Sequence, residues 1–165
     1  MKALIVYESA WGNTKSVAEA IHAGLSAQVE AEIVAVDTAP PLAQVEADLL
    51  VVGAPTHAFG LSRAGTREDA RRRGGDLIES GVREWLAEGP ADLAAATFDT
   101  HVRHPDLPGH AGKAAAKKLR KLGCRLVADP ESFYVDGYEG PVLPGELERA
   151  REWGAELARR LQSGL

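Results

Sequence analysis

The chain has 165 residues, of which 45% are hydrophobic and 26% are charged, as expected for a single globular domain that spans residues 1–165 and buries one core. Its formal net charge of -5 argues against a nucleic-acid-binding protein, because such proteins need a basic face to neutralise phosphates. The only cysteine, Cys124, cannot form an intramolecular disulfide and the sequence has no Cys/His spacing of a zinc site, so we expect no metal and a reducing compartment.

The first predicted strand, residues 3–7, begins almost at Met1. This apolar stretch is too short for the hydrophobic segment of a signal peptide and far too short to span a membrane. We therefore expect a cytoplasmic protein without membrane insertion.

Short apolar runs then alternate with segments of helical periodicity along the chain. Because these runs are continuously apolar, they indicate strands that are buried on both faces, and the alternation is typical of a parallel sheet covered by helices. The predicted strands are residues 3–7, 31–36, 49–53 and 93–98, with a fifth that starts at 125–127 and resumes at 132–135.

Three segments between or after these strands have the apolar spacing of helices. The first contains Val17, Ile21 and Leu25, the second covers residues 112–122, and the third follows Pro144. Residues 61–89 are different, because glycines interrupt a cluster of arginines there, and we interpret this segment as a basic loop or a broken helix. The arginines are Arg63, Arg67, Arg71, Arg72 and Arg73.

The chemically most informative segment is the turn that joins the first strand to the first helix. Its residues are Ser9, Ala10, Trp11, Gly12, Asn13 and Thr14. The first N–H groups of a helix have no partner within the helix and lie at the positive end of its dipole, so such a turn suits a phosphate. The hydroxyl and amide side chains add donors, and Gly12 permits close approach of the backbone. The same residues also suit an ordinary capped helix start, and the turn by itself leaves both interpretations open.

The turn lacks the glycine pattern of a dinucleotide fingerprint or of a triphosphate loop, which disfavours a dinucleotide or ATP. It does resemble the phosphate loop of the flavodoxin family, a hydroxyl-rich turn that ends in Gly-Asn-Thr and continues into Val-Ala on the first helix. The matching residues are Gly12, Asn13, Thr14, Val17 and Ala18. One position departs from the family, because Trp11 stands where flavodoxins usually have a threonine. Trp11 either covers the phosphate and ribityl chain or packs against a neighbouring loop.

The resemblance implies the flavodoxin-like α/β fold and FMN as a non-covalently bound cofactor. That fold is a doubly wound, five-stranded parallel sheet of order 2-1-3-4-5 with helices on both faces. It brings the loops after the third and fourth strands to the flavin ring. The residues implied to bind the cofactor in the first of these loops are Pro55, Thr56, His57, Ala58, Phe59 and Gly60. Those implied in the second are Phe98, Asp99, Thr100 and His101.

Some of these side chains have a second interpretation. Phe98 lies in an apolar run and is either a core residue or a ring contact. His57 is a hydrogen-bond donor to the flavin edge, a proton relay or a solvated loop residue. Tyr134, Tyr138 and Trp85 fall outside the matching loops and are predicted to be structural.

Flavodoxins usually surround the flavin with acidic side chains, whereas the segment after the third strand is rich in arginine here. If this segment borders the ring, the local potential is neutral or positive. The arginines then attract an anionic substrate or the phosphates of NAD(P)H, or else they form only an exposed helix face.

The resemblance implies an FMN-binding redox protein that carries electrons between a reductase and an acceptor, and such a carrier needs no catalytic side chain. One alternative is an FMN-dependent NAD(P)H:quinone (acceptor) oxidoreductase, and another is a non-enzymatic binding module of the same fold. The expected partners are a redox protein or NAD(P)H, and the expected state is a monomer or weak homo-oligomer.

Overall fold

The computed structural model describes residues 1–57, 60–76, 78–103 and 107–164. Its strands are β1 (Lys2–Tyr7), β2 (Glu30–Ala35), β3 (Leu49–Pro55), β4 (Ala94–Val102), β5 (Arg125–Leu126) and β6 (Glu131–Val135). They form one parallel sheet of order β2-β1-β3-β4-β5, in which β6 continues the pairing with β4 beyond β5. The predicted order and the interruption of the fifth strand are both confirmed.

Five α-helices lie within the described residues. They are α1 (Asn13–Ser26), α2 (Ala64–Arg72), α3 (Val82–Trp85), α4 (Ala111–Leu122) and α5 (Glu146–Gln162), with short 3-10 turns at Val36–Thr38, Leu42–Gln44 and Leu86–Glu88. The arginine-rich segment is thus a helix followed by a break, since α2 ends before α3 begins. No described helix is both long enough and apolar enough to cross a membrane.

Each face of the sheet has its own apolar core. One core joins α1 and α5 to alternate strand residues such as Ile5, Val51 and Phe98. The other joins α3 and α4 to the intervening residues, such as Leu50 and Val52. Both faces are therefore covered, which explains why the strands are continuously apolar in sequence.

Candidate cofactor site

A cleft of about 350 Å³ lies at the carboxyl edge of the sheet, where β1, β3 and β4 end. The loops after these three strands form most of its wall, and the loop after β6 completes it. The lining residues are Ser9, Ala10, Trp11, Asn13, Thr14, Pro55, Thr56, His57, Thr100, Val102, Val135 and Tyr138. The structure therefore brings together nine of the residues that the sequence assigned to the cofactor.

The start of α1 forms the floor of this cleft. Gly12 precedes the helix with φ 91°, a conformation that favours glycine, and its N–H donates to Ser9 Oγ at 3.0 Å. No described side chain caps the helix, so the N–H groups of Asn13 and Thr14 keep their donor capacity. The simple interpretation of this turn as a side-chain-capped helix start is therefore wrong.

Side chains of the turn hold the surrounding elements in place. Thr14 Oγ1 is hydrogen-bonded to Thr100 Oγ1 at 2.8 Å, which joins α1 to the end of β4. Asn13 Nδ2 donates to the carbonyl oxygen of Tyr138 at 3.4 Å and so ties the loop after β6 to the turn. The tie brings the aromatic ring of Tyr138 to the cleft, although the ring remains 51% exposed. The prediction that Tyr138 is only structural missed this position, because no local pattern connects it to a turn 125 residues earlier.

Trp11 lies between the cleft and the segment after α2. A Cβ atom placed on Gly75 would lie 3.0 Å from Trp11 Cε2, and the N–H of Asp76 donates to the carbonyl oxygen of Ala10 at 2.7 Å. On its other side the indole ring faces Tyr138, with the ring centroids 6.4 Å apart. Trp11 therefore packs against a neighbouring loop, one of the two predicted roles, and it also lines the cleft.

His57 is a buried wall residue at 6% exposure, so its interpretation as a solvated loop side chain is wrong. Its Nδ1 lies 3.3 Å from Thr66 Oγ1, and its Nε2 has no hydrogen-bond partner among the residues that the structure describes. Burial, assisted by the positive charge of Arg67, lowers the pKa of His57 to about 4, whereas Asp69 acts in the opposite direction. The imidazole is therefore neutral at pH 7.

The other predicted residues that the structure describes are absent from the cleft lining. Gly12 and Gly60 shape the turns on either side, whereas the ring of Phe98 packs in the core, where a Cβ on Gly53 would come within 2.0 Å of it. Ala58 and Phe59 lie outside the described residues.

Asp99 and His101 face α4. Asp99 Oδ2 accepts the N–H of Gly112 at 2.8 Å and lies 3.8 Å from His110 Nδ1, while burial raises the pKa of this carboxyl. The ring of His101 stacks on that of His110, with the centroids 4.4 Å apart. A cofactor contact by either residue remains a prediction.

A buried polar network supports the loop after β3 from below. Glu8, at the end of β1, accepts the Ser62 hydroxyl at 2.6 Å and the Val82 N–H at 2.8 Å. Arg67 donates in turn to Ser62 and is paired with Glu84. Desolvation by burial raises the pKa of Glu8, against the lowering effect of these hydrogen bonds and of Arg67.

Two arginines of α2 and Arg73, which follows the helix directly, are paired with acidic residues of α2. Arg71 and Arg72 contact Glu68, and Arg73 contacts Asp69 at 3.4 Å. Arg73 also lies beside the cleft, with its guanidinium 5.8 Å from the centroid of the Tyr138 ring. The local charge is therefore more balanced than the sequence cluster predicts.

These features describe an α/β protein in which an uncapped helix start faces a cleft at the carboxyl edge of a doubly wound sheet. Residues 5–85 match the sequence profile of the flavodoxin family. No curated protein matches the chain in a sequence search. Residues 5–85 are thus similar to the flavodoxin family, and the whole chain has the flavodoxin-like fold.

Solved structures extend the likeness in fold. A flavodoxin from the domain Archaea has 22% identity and a TM-score of 0.70, covering 98% of this chain and 99% of its own. Oxidised flavodoxin 1 from Bacillus cereus has 19% identity and a TM-score of 0.71 over 100% of this chain and 99% of its own. The Flv1 flavodiiron core from Synechocystis sp. PCC6803 has 18% identity and a TM-score of 0.69, covering all of this chain but 37% of its own.

FMN is the cofactor of this family, and the residues at the cleft fit it. The uncapped start of α1 offers N–H donors to a phosphate, and hydroxyl groups of Ser9, Thr14 and Thr56 lie in the same wall. Trp11 and Tyr138 provide flat surfaces for a ring system. The buried Nε2 of His57 also lacks a partner among the described residues, as a group that binds a ligand does.

Proposed function

We propose that this chain binds FMN in the cleft and carries electrons between a reductase and an acceptor, in the cytoplasm. The observation that supports this function is the joining of nine predicted cofactor-binding residues, from three separate loops, in one wall. FMN supplies the redox chemistry, and the protein supplies binding, orientation and electrostatics.

Each part of the wall has a distinct role in this proposal. The N–H groups at the start of α1 and the Ser9 hydroxyl bind the phosphate, since both are donors at the positive end of the helix dipole. The loops after β3 and β4 orient the ring and keep water from one of its faces. The half-exposed Tyr138 marks the side on which a redox partner reaches the cofactor.

An FMN titration of the purified apoprotein, followed by flavin fluorescence and the visible spectrum, tests this proposal. Gly12→Ala weakens FMN binding by roughly tenfold, because alanine resists the positive φ that shapes the turn. Gly145→Ala is a matched control, since Gly145 precedes α5 with φ 86° and has the same open space around it. Absence of FMN binding by the wild type, or equal weakening in both variants, contradicts the proposal.

The second candidate is an FMN-dependent NAD(P)H:acceptor oxidoreductase. The feature that favours it is a second hollow of about 470 Å³, which shares Trp11, His57 and Tyr138 with the first and continues along α2 to Thr66, Asp69 and Arg73. This hollow offers room for a second ring system beside the cofactor, and Arg73 offers a cation to a phosphate.

Anaerobic addition of NADPH to the FMN complex separates the two functions. Rapid bleaching of the flavin identifies an oxidoreductase, whereas a stable oxidised spectrum identifies a carrier that needs a separate reductase. In the first case Arg73→Ser slows bleaching, while Arg72→Ser serves as the control because Arg72 is also exposed and paired with an acid of α2 but does not line the second hollow. Equal rates in the two variants exclude Arg73 from nicotinamide nucleotide binding.

A further inference from the structure

His57 is held in one orientation by both its backbone and its side chain. Its N–H donates to the carbonyl oxygen of Gly60 at 2.8 Å, and the N–H of Gly60 donates back to the carbonyl oxygen of His57 at 3.1 Å. The ring is fixed by the contact of Nδ1 with Thr66 Oγ1, which lies 3.3 Å away. The side chain is therefore a fixed part of the wall.

The hydrogen bonds of Thr66 decide which nitrogen of His57 carries the proton. Thr66 Oγ1 accepts the N–H of Arg63 at 2.9 Å and donates its single hydroxyl proton to the carbonyl oxygen of Arg63 at 3.1 Å. With that proton on the Arg63 carbonyl oxygen, the hydroxyl has none to give to His57, and Nδ1 is then the donor in their contact. In a neutral imidazole, Nε2 is then a bare acceptor.

This acceptor is costly to the free protein. Nε2 is buried, has no hydrogen-bond partner in the described part of the chain, and belongs to a residue that lines both hollows of the cleft. A buried polar atom without a partner destabilises the fold, so a ligand that supplies the missing partner offsets this cost. Arg67 and Asp69 are the charged groups that act on the ring, and the effect of Arg67, which disfavours a second proton, is the larger.

We propose that His57 Nε2 accepts a hydrogen bond from a ring N–H of the bound flavin. The inference rests on the proposed FMN site and reverses the donor role that the sequence suggested for this residue. An unprotonated nitrogen accepts a hydrogen bond from an N–H group and repels an acceptor atom. His57 therefore favours the orientation of the flavin in which one of the flavin N–H groups faces Nε2. His57 is a binding residue that selects an N–H edge.

The tautomer is testable in the apoprotein. A long-range proton–nitrogen NMR spectrum of the histidine side chains, with His57 identified by its loss in His57→Gln, shows which ring nitrogen is protonated. We expect a proton on Nδ1 and a bare Nε2 at pH 7. A proton on Nε2 overturns the inference, whether or not FMN binds.

The ligand contact is tested by adding FMN to the same sample. We expect the Nε2 resonance to shift in the direction of hydrogen-bond acceptance as FMN saturates the protein. An unchanged resonance with FMN fully bound overturns the inference but leaves the proposed function intact. If FMN does not bind at all, the proposed function itself fails.

Two substitutions distinguish the effect of the Nε2 acceptor on FMN binding from the effect of the ring shape of His57. His57→Gln places an amide oxygen near the position of Nε2, whereas His57→Phe keeps a ring without a nitrogen. We expect His57→Phe to weaken FMN binding by roughly tenfold and His57→Gln by less than about threefold. His22→Phe, at a histidine that contacts Ala31 away from the cleft, serves as the control.

A merely structural role moves stability and binding together, whereas the proposed role does not. His57→Phe removes the unpaired Nε2 together with the Nδ1 contact to Thr66, whose hydroxyl keeps its bonds to Arg63. These changes offset each other, so the thermal midpoint of the apoprotein stays about the same while FMN binding weakens. If His57→Phe weakens the binding of both oxidised and reduced FMN, the donor to Nε2 is the N–H group that both forms share. If it weakens the binding of reduced FMN alone, the donor is the N–H group that forms on reduction. Unchanged affinity in both states, or equal losses in the two variants, overturns the inference.

Discussion

Both faces of the sheet have an apolar core, but the face of α3 and α4 adds a buried polar network around Glu8 and Arg67. On one face α1 and α5 approach so closely that a Cβ on Gly24 would lie 2.0 Å from the carbonyl oxygen of Arg151, and one on Gly154 would lie 2.3 Å from that of Ile21. On the other face α2 buries only Arg67 and Ala70 among its residues, and the arginine is satisfied by hydrogen bonds.

The difference follows from what each face has to do. Close apolar packing depends on volume, and it suits the face whose helices only cover the sheet. Hydrogen bonds depend on direction, and they suit the face that supports the loop after β3, where His57 and its neighbours need fixed positions. The cleft is therefore positioned mainly by a polar network.

The largest expected effect comes from breaking that network at Glu8. Glu8→Ala leaves the buried Ser62 hydroxyl and the Val82 N–H without an acceptor and lowers the free energy of unfolding by about 3–5 kcal/mol. Urea unfolding measures the loss, with Glu19→Ala on the exposed side of α1 as the control. A loss below about 1 kcal/mol shows that the network does not support this face.

The next effect comes from separating the two helices of the apolar face. Gly24→Ala brings a methyl group against the backbone of α5 and lowers the free energy of unfolding by about 3 kcal/mol, because neither backbone can yield without moving a helix. Gly154→Ala has a similar effect from the opposite side. FMN affinity remains near the wild-type value in both variants, since neither glycine lines the cleft. If FMN binding weakens strongly, the packing of α1 against α5 also positions the cleft, which contradicts this explanation.

Acid should weaken the polar face through His57. The pKa of His57 falls from 6.5 to about 4 on folding, so the unfolded chain binds the extra proton and the free energy of unfolding decreases as the pH falls from about 6.5 to about 4. The loss is about 3 kcal/mol and is complete below pH 4. Glu8, with a raised pKa, acts in the opposite direction, because its stabilising contribution is lost as the pH rises.

Unfolding curves of wild type and His57→Gln across this pH range isolate the histidine. The variant lacks the slope that His57 contributes, while the contribution of Glu8 is common to both. Parallel pH profiles for the two proteins show that His57 is not held neutral by the fold.

The smallest expected effect is a gain in stability from a substitution in α2. A Cβ on Gly65 meets nothing within 4 Å and the residue has an ordinary helical backbone, so Gly65→Ala stabilises the protein by up to about 1 kcal/mol. We expect the change in the free energy of unfolding to have the opposite sign from that of Gly24→Ala in the same experiment. This comparison tests whether the space around a glycine determines the effect of its replacement by alanine. Destabilisation by Gly65→Ala contradicts this explanation.

The apolar face was the easier one to predict from the sequence. Val17, Ile21 and Leu25 recur at helical spacing because they face the core, and the strand order follows from the family resemblance. The polar face was not predicted, because Glu8 meets Val82 across 74 positions and no local pattern encodes that pairing. The composition of α2 suggested an exposed basic segment, yet Arg67 is only 3% exposed.

The site divides in the same way. The turn of residues 9–14 was recognisable because strand, turn and helix are consecutive in sequence. Tyr138 was missed because it reaches the cleft through a loop that follows the last strand. The orientation of Phe98 toward the core depends on strand register, which the apolar run alone does not set.

The place of Trp11 gives the protein a built-in optical reporter. Of the three tryptophans, Trp85 is buried beside α4 with its Nε1 donating to the Pro40 carbonyl oxygen, and Trp153 packs against Phe98 and Phe133 on the far face. Only the indole of Trp11 lines the cleft, so among the tryptophans it is the one whose immediate surroundings a ligand there changes. Difference spectra between wild type and Trp11→Phe therefore follow occupancy of the cleft without any label.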